Sequence, residues 1–288
     1  MTRKSAFRGI MSFLAILLLM PLGHAFVILM KNHLSSQALF IGAFCLGLLG
    51  LIIAVSGNRL KSQAMQVLTG AFGAVLFWGA WVEFIYISYG ESLQVPPIMQ
   101  GGEVYTKPEY LMMPTSLPFA ALAFVMYVFM ARTRWGVILV IRKWLGIKTE
   151  YDESRSYASI QAFIDLLLLI WWAYLILLVE FDPSLLGLHH PVTMISSTIC
   201  LIAGLILLVR SLSAHSWVSA LRQAIVTVCV LWTYIEVMIK LRLFTEVWVY
   251  PEKYILEMIL LLVAFVVVLL LISYNGHKGL KKTPGEER

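Results

Sequence analysis

The sequence has few of the residues from which soluble enzymes build their sites. Only 13% of its 288 residues are charged, and it contains 3 cysteines and 6 histidines. None of the cysteines or histidines stands in a CxxC, CxxCH, HExxH or ExxH spacing, so neither covalent haem nor a common zinc motif is indicated. Nucleophile motifs, phosphate loops and nucleotide fingerprints are also absent. The sequence therefore does not point to an enzyme, and it leaves metal and cofactor unassigned.

Apolar residues dominate the chain. They make up 60% of it, the mean hydropathy is +0.85, and soluble domains are about 45–50% apolar. A membrane-spanning helix needs about 20 apolar residues. Eight runs meet this length and predict an all-α integral membrane protein with eight transmembrane helices, near 9–30, 37–57, 64–88, 114–131, 158–180, 192–209, 216–243 and 254–274.

Positive charges lie mostly on one side of these eight runs. Seventeen of the 22 Lys and Arg residues fall at the N-terminus, at the C-terminal tail or in loops on that side. Because positive loops stay in the cytoplasm, we predict cytoplasmic N- and C-termini in a bacterial-type inner membrane. The net charge of +6 then has a membrane explanation, and no nucleic-acid partner is expected.

Two segments of the chain echo each other. Trp81-Val82-Glu83 and Tyr234-Ile235-Glu236 each place a carboxylate in an apolar run. Each tripeptide is followed by a second similar segment, at 104–111 and at 249–255, in which Val-Tyr, Pro-Glu and another Tyr occur in that order. Four spans in each half would start both halves on the same side, which predicts two parallel four-helix repeats.

The predicted organisation has four parts. Residues 1–131 form the first repeat, 132–157 a cytoplasmic amphipathic linker, 158–275 the second repeat and 276–288 a cytoplasmic tail. The first span also has features of a signal peptide cleaved after Ala25. Its apolar run continues beyond that point and the repeat requires it, so we expect it to be retained.

Ionisable residues concentrate in the outer third of the predicted bundle. A charge at mid-membrane costs about 2.5–3.5 kcal/mol, so such residues usually face a partner, a cavity or a site. The ligand- or proton-binding candidates are His24, Glu83, Tyr86, Glu236 and Lys240. Candidates at the outer rim are Glu180, Asp182, His189 and His190.

The two deep carboxylates differ in their helical neighbours. Lys240 follows Glu236 by four residues, so the two lie on one face and can form an ion pair. Glu83 has no charged neighbour at three or four positions and must find its partner on another helix. We therefore predict that Glu83 matters more to function than Glu236.

Three functions remain open at this stage. The first is a protein that binds and translocates a small solute or ion through an outer-half polar site between the repeats. The second is a membrane anchor subunit of a redox complex that handles quinol at the outer face. The third is an assembly or scaffold protein without a site, whose partners are other membrane subunits and the lipid bilayer.

Overall fold

The structure is a computed structural model that describes residues 2–100, 103–130, 141–147 and 157–280. Within these ranges it is an all-α membrane protein with seven helices long and apolar enough to cross a bilayer. Three spans come first: α1 (Arg3–His33), α2 (Ser36–Gly57), and a continuous segment made of α3 (Gln63–Phe77), a π-helical turn (Trp78–Glu83) and α4 (Phe84–Ser92).

A small structured connection follows α4. It contains strand β1 (Ile98–Gln100), strand β2 (Glu103–Thr106), helix α5 (Pro108–Met112) and a 3₁₀ turn (Met113–Ser116). The two strands pair antiparallel. We call the end of the bundle that carries this β-hairpin the hairpin end. The sequence analysis does not predict the hairpin or α5, which only the structure provides.

The remaining helices are α6 (Leu117–Met130), α7 (Ala158–Phe181), α8 (Pro191–Ser211), α9 (Trp217–Lys240) and α10 (Ile255–Leu280). Helix α6 corresponds to the fourth predicted span. Its 14 residues extend about 21 Å by helical rise, whereas the hydrocarbon core is about 30 Å thick. The count of eight spans therefore stays a prediction.

Most of the predicted linker lies outside the described residues, as do 281–288 of the predicted tail. Within the linker, residues 141–144 are helical, and the buried Arg142 donates from Nε to the carbonyl oxygen of Val128 in α6.

Burial separates central from peripheral helices. In the most apolar stretches of α3 and α7, 50% of the residues are buried, against 11% in α10. The main core combines side chains of α1, α3, α7, α9 and α10. Helices α2, α8 and α10 instead expose many large apolar side chains, which is compatible with contact with lipid.

Small residues allow α2 and α3 to approach closely. A Cβ atom added at Gly73 would lie 2.5 Å from the carbonyl oxygen of Gly50, and one at Gly50 would lie 2.6 Å from that of Gly73. Side chains at either position would force the helices apart, as expected for small residues in membrane helix pairs. This contact fixes the segment that carries Glu83.

The helices pack in corresponding pairs. Helix α2 packs on α3, and correspondingly α8 packs on α9. Helix α3 also packs on α7, and correspondingly α9 packs on α1. Helix α10 also contacts α1, and α6 contacts α7. These particular pairs correspond to each other when the two halves of the chain are exchanged.

Candidate functional site

A cavity of about 100 Å³ lies toward the hairpin end, among α1, the π-helical turn, α7 and α9. The ionisable or aromatic side chains around it are His24, Trp78, Glu83, Lys107, Tyr110, Tyr174, Trp232, Glu236, Glu246 and Trp248. Apolar side chains such as Met20, Val75 and Ile170 complete the lining. The structure thus brings three residues singled out in the sequence, His24, Glu83 and Glu236, to one cavity.

His24 and Glu83 form the polar pair at the centre of this site. Nδ1 of His24 lies 3.2 Å from Oε1 of Glu83, and the two side chains are 29% and 11% exposed. The partner that Glu83 lacks on its own helix is thus supplied by α1. Imidazole and carboxylate at this distance can share or transfer a proton.

The π-helical turn orients Glu83 toward the cavity. Residues five apart in an α-helix point about 140° away from each other, so Trp78 and Glu83 would face different neighbours. The i→i+5 bonding of a π-helix brings such residues to the same face, and both line the cavity. Such turns are frequent at functional sites, but nothing in the residues Trp78–Glu83 predicts one.

Helix α1 is continuous but lacks one backbone hydrogen bond just before His24. Pro21 is inside the helix and has no N–H to donate to the carbonyl of Leu17. Gly23 then lets α3 come close, because an added Cβ would lie 2.2 Å from Cγ1 of Val75. A larger residue at Gly23 would push α1 away from α3 and separate His24 from Glu83.

Glu236 reaches the cavity from α9. Its Oε1 accepts a hydrogen bond of 2.9 Å from Nε1 of Trp232, one turn earlier. The sequence alone suggests Lys240 as its partner, but in the structure these two side chains line different cavities. The ammonium of Lys240 lies 5.6 Å from the ring centre of Phe181.

Two connecting segments close the cavity at the hairpin end. Lys107 and Tyr110 come from the end of the β-hairpin and α5, and Glu246 and Trp248 come from the segment between α9 and α10. The ring of Tyr110 stacks on Tyr174 of α7 at 5.2 Å. These four lining residues are absent from the sequence-based candidates, because no periodicity relates a loop residue to a helix that it covers.

A second cavity of about 280 Å³ lies nearer the surface of the hairpin end. It is lined by Val104, Phe181, Leu188, His189, Lys240, Leu241 and Arg242. Two of the predicted candidates, His189 and Lys240, therefore belong to a place separate from the central cavity.

The remaining candidates line neither cavity. Tyr86 packs against the main core. Asp182 accepts from the backbone N–H and the hydroxyl of Ser184, at 2.8 and 2.6 Å, and His190 caps α8 by accepting from the N–H of Val192. These contacts give Asp182 and His190 structural roles in a turn and a helix start.

Glu180 differs from the other rim candidates. It is 1% exposed, and neither carboxylate oxygen has a hydrogen-bond partner among the described residues. The hydroxyl of Ser196 on α8 lies near this carboxylate.

No group of three or more His, Cys, Asp or Glu side chains that could hold a metal ion occurs in the described part of the chain. Among the lining residues that could serve as general acid or base, His24 and Glu83 are in contact, and Glu236 faces the same cavity. The arrangement can bind a polar or charged molecule and exchange protons with it. Comparisons with protein-family models, curated proteins and solved structures give no match to this chain.

Proposed function

We propose that this protein binds a small solute or ion in the central cavity and translocates it across the membrane. The observation that carries the proposal is the cavity of about 100 Å³ lined by His24, Glu83 and Glu236. Burying these ionisable groups in a bilayer costs free energy. Their interaction with a bound polar or charged ligand would offset that cost.

Translocation requires that the site open to each face in turn. Two interruptions of regular α-helix flank the cavity, Pro21 in α1 and the π-helical turn Trp78–Glu83. Interrupted helices at a polar site are typical of secondary transporters. In the other half of the bundle, Asp165 is 3% exposed, and we propose that it lies on the route to the opposite face.

We further propose an inner-membrane location, eight spans in two parallel four-helix repeats, and cytoplasmic termini. The distribution of Lys and Arg supports the orientation. The corresponding helix pairs, α2–α3 with α8–α9 and α3–α7 with α9–α1, support the repeat. In this arrangement Glu83 and Glu236 are the equivalent carboxylates of the two halves, which explains why both line one cavity.

Quinol handling is the second candidate function. Trp78 and Trp232 line the cavity beside the His24–Glu83 pair, and a quinol site needs a proton acceptor next to aromatic rings. A redox anchor subunit would need access to the cavity from one side only. A scaffold would need no access at all.

Accessibility of Cys229 distinguishes the three functions. This native cysteine lines the cavity, so Cys45→Ser and Cys200→Ser leave it as the single thiol. In oriented vesicles, a membrane-impermeant methanethiosulfonate reagent is applied to each side in turn. A cysteine at the exposed Ser184, in a protein without other thiols, identifies the side of the hairpin end.

We expect labelling of Cys229 from both sides, because a translocating site alternates between them. Labelling from one side only would overturn the proposed translocation but would remain consistent with a binding site in the cavity. If neither Cys229 nor a cysteine introduced by Thr233→Cys at the same cavity is labelled from either side, the cavity is inaccessible and the proposal is overturned.

A further inference from the structure

We infer that the solute of this site is a small organic cation, an amine or a quaternary ammonium compound. The inference rests on the proposed function and specifies its substrate class. It draws on the charge, the aromatic lining and the size of the same cavity.

The charge of the lining is negative. Three carboxylates, Glu83, Glu236 and Glu246, face one ammonium, Lys107, and one imidazole, His24. With all three carboxylates ionised, three negative charges against one positive charge leave −2 when His24 is neutral, and −1 when it is protonated. A cationic ligand compensates this excess, whereas an anionic ligand would increase it. Because charges interact more strongly away from bulk water, this sign decides the class of ligand.

Five aromatic rings form the walls. Tyr110 stacks on Tyr174 with ring centres 5.2 Å apart, and the ring centre of Trp78 lies 5.2 Å from that of Tyr174 in a tilted arrangement. Trp232 and Trp248 pack at 5.3 Å on the wall that carries Glu236. The faces of Trp and Tyr rings attract cations, and cages of such rings recognise quaternary ammonium groups.

Size and hydrogen bonding narrow the ligand further. A dry cavity of about 150 Å³ holds benzene, so a cavity of about 100 Å³ suits a small molecule such as ethanolamine, and the larger choline fits only if side chains of the lining adjust. The carboxylates of the lining do not form a group of three or more His, Cys, Asp or Glu side chains that could hold a metal ion among the described residues, so the aromatic walls favour an organic cation over a bare metal ion. The lining carboxylates Glu83, Glu236 and Glu246 can accept hydrogen bonds from an ammonium or a hydroxyl group of the ligand. An amino alcohol meets all these conditions.

The test compares choline with 3,3-dimethylbutan-1-ol, a neutral molecule of the same shape. Binding to the purified full-length protein in lipid nanodiscs is followed by tryptophan fluorescence, since three tryptophans line the cavity. We expect saturable binding of choline, and binding of the neutral analogue at least tenfold weaker. Ethanolamine is measured in parallel to distinguish quaternary from primary ammonium ligands.

Variants connect the signal to the cavity. We expect Glu246→Gln and Trp248→Leu each to weaken choline binding about tenfold, and Trp248→Phe to retain more affinity than Trp248→Leu because it keeps a ring. Both residues lie in a connection rather than in a spanning helix, so folding is less affected. The matched controls Glu91→Gln and Trp172→Leu remove an exposed carboxylate and an exposed indole that do not line the cavity, and should bind like the unsubstituted protein.

The outcomes separate this inference from the proposed function. The cation inference would be overturned if choline and its neutral analogue bound equally well. It would also be overturned if neither choline nor ethanolamine bound while Cys229 reacts with the thiol reagent. In both cases the accessible cavity would keep the proposed function. The proposed function itself would be overturned if both Cys229 and a cysteine introduced by Thr233→Cys were unreactive from both sides.

Discussion

The contact between His24 and Glu83 should contribute more to stability than a shorter ion pair on the surface. We consider a double-mutant cycle in which His24→Leu and Glu83→Leu are made singly and together. The reference cycle uses Lys31→Leu and Glu91→Leu, since Nζ of Lys31 lies 2.8 Å from Oε1 of Glu91. The central pair is longer, at 3.2 Å, so distance alone would rank the surface pair first.

Burial reverses that ranking. The side chains of Lys31 and Glu91 are 45% and 64% exposed, and exposed pairs contribute about 0.2–1 kcal/mol because water and salt screen them. Those of His24 and Glu83 are 29% and 11% exposed. A hydrogen bond to a charged group in such a setting contributes about 1.5–3 kcal/mol. We therefore expect a coupling energy for the central pair about threefold that of the surface pair.

Equilibrium unfolding in mixed micelles of SDS and a mild detergent gives the free energy of unfolding for each variant. The coupling energy is the part of the double-mutant effect that the two single effects do not explain. The coupling of the surface pair should also fall as salt is added. If the surface pair couples as strongly as the central pair, or more strongly, burial does not control this interaction and the reasoning is wrong.

Three further predictions concern function, topology and packing. Glu83→Gln should express normally and abolish uptake of labelled choline into proteoliposomes, with Glu236→Gln milder; normal uptake by Glu83→Gln would make that carboxylate structural. Reporters fused within 148–156 and at the C-terminus should read cytoplasmic and those within 98–107 external, and an external C-terminus would contradict both the eight-span count and the repeat. Gly73→Val should lower the free energy of unfolding by about 1–3 kcal/mol, because its Cβ would lie 2.5 Å from a backbone oxygen of α2; an unchanged value in the same micelle assay would show that α2 can shift without cost.

Part of the site follows from sequence reasoning because bilayer physics restricts polar residues. His24, Glu83 and Glu236 stand out as ionisable groups in apolar runs, and the structure gathers them at one cavity. Glu180 stands out for the same reason, yet it is buried away from that cavity. Position along a helix gives the depth of a residue, but not the neighbour that it faces.

The sequence by itself determined that this is an all-α membrane protein, because long apolar runs can satisfy their backbone groups in lipid only as helices. It also located most spans to within a few residues, since hydropathy changes sharply at their ends. Only the tertiary structure decided that α1 supplies the partner of Glu83, that a π-helical turn brings Trp78 and Glu83 to one face, and that Lys107, Tyr110, Glu246 and Trp248 close the cavity. These contacts join residues far apart in the chain, and they depend on how helices rotate and pack against each other, which hydropathy does not encode.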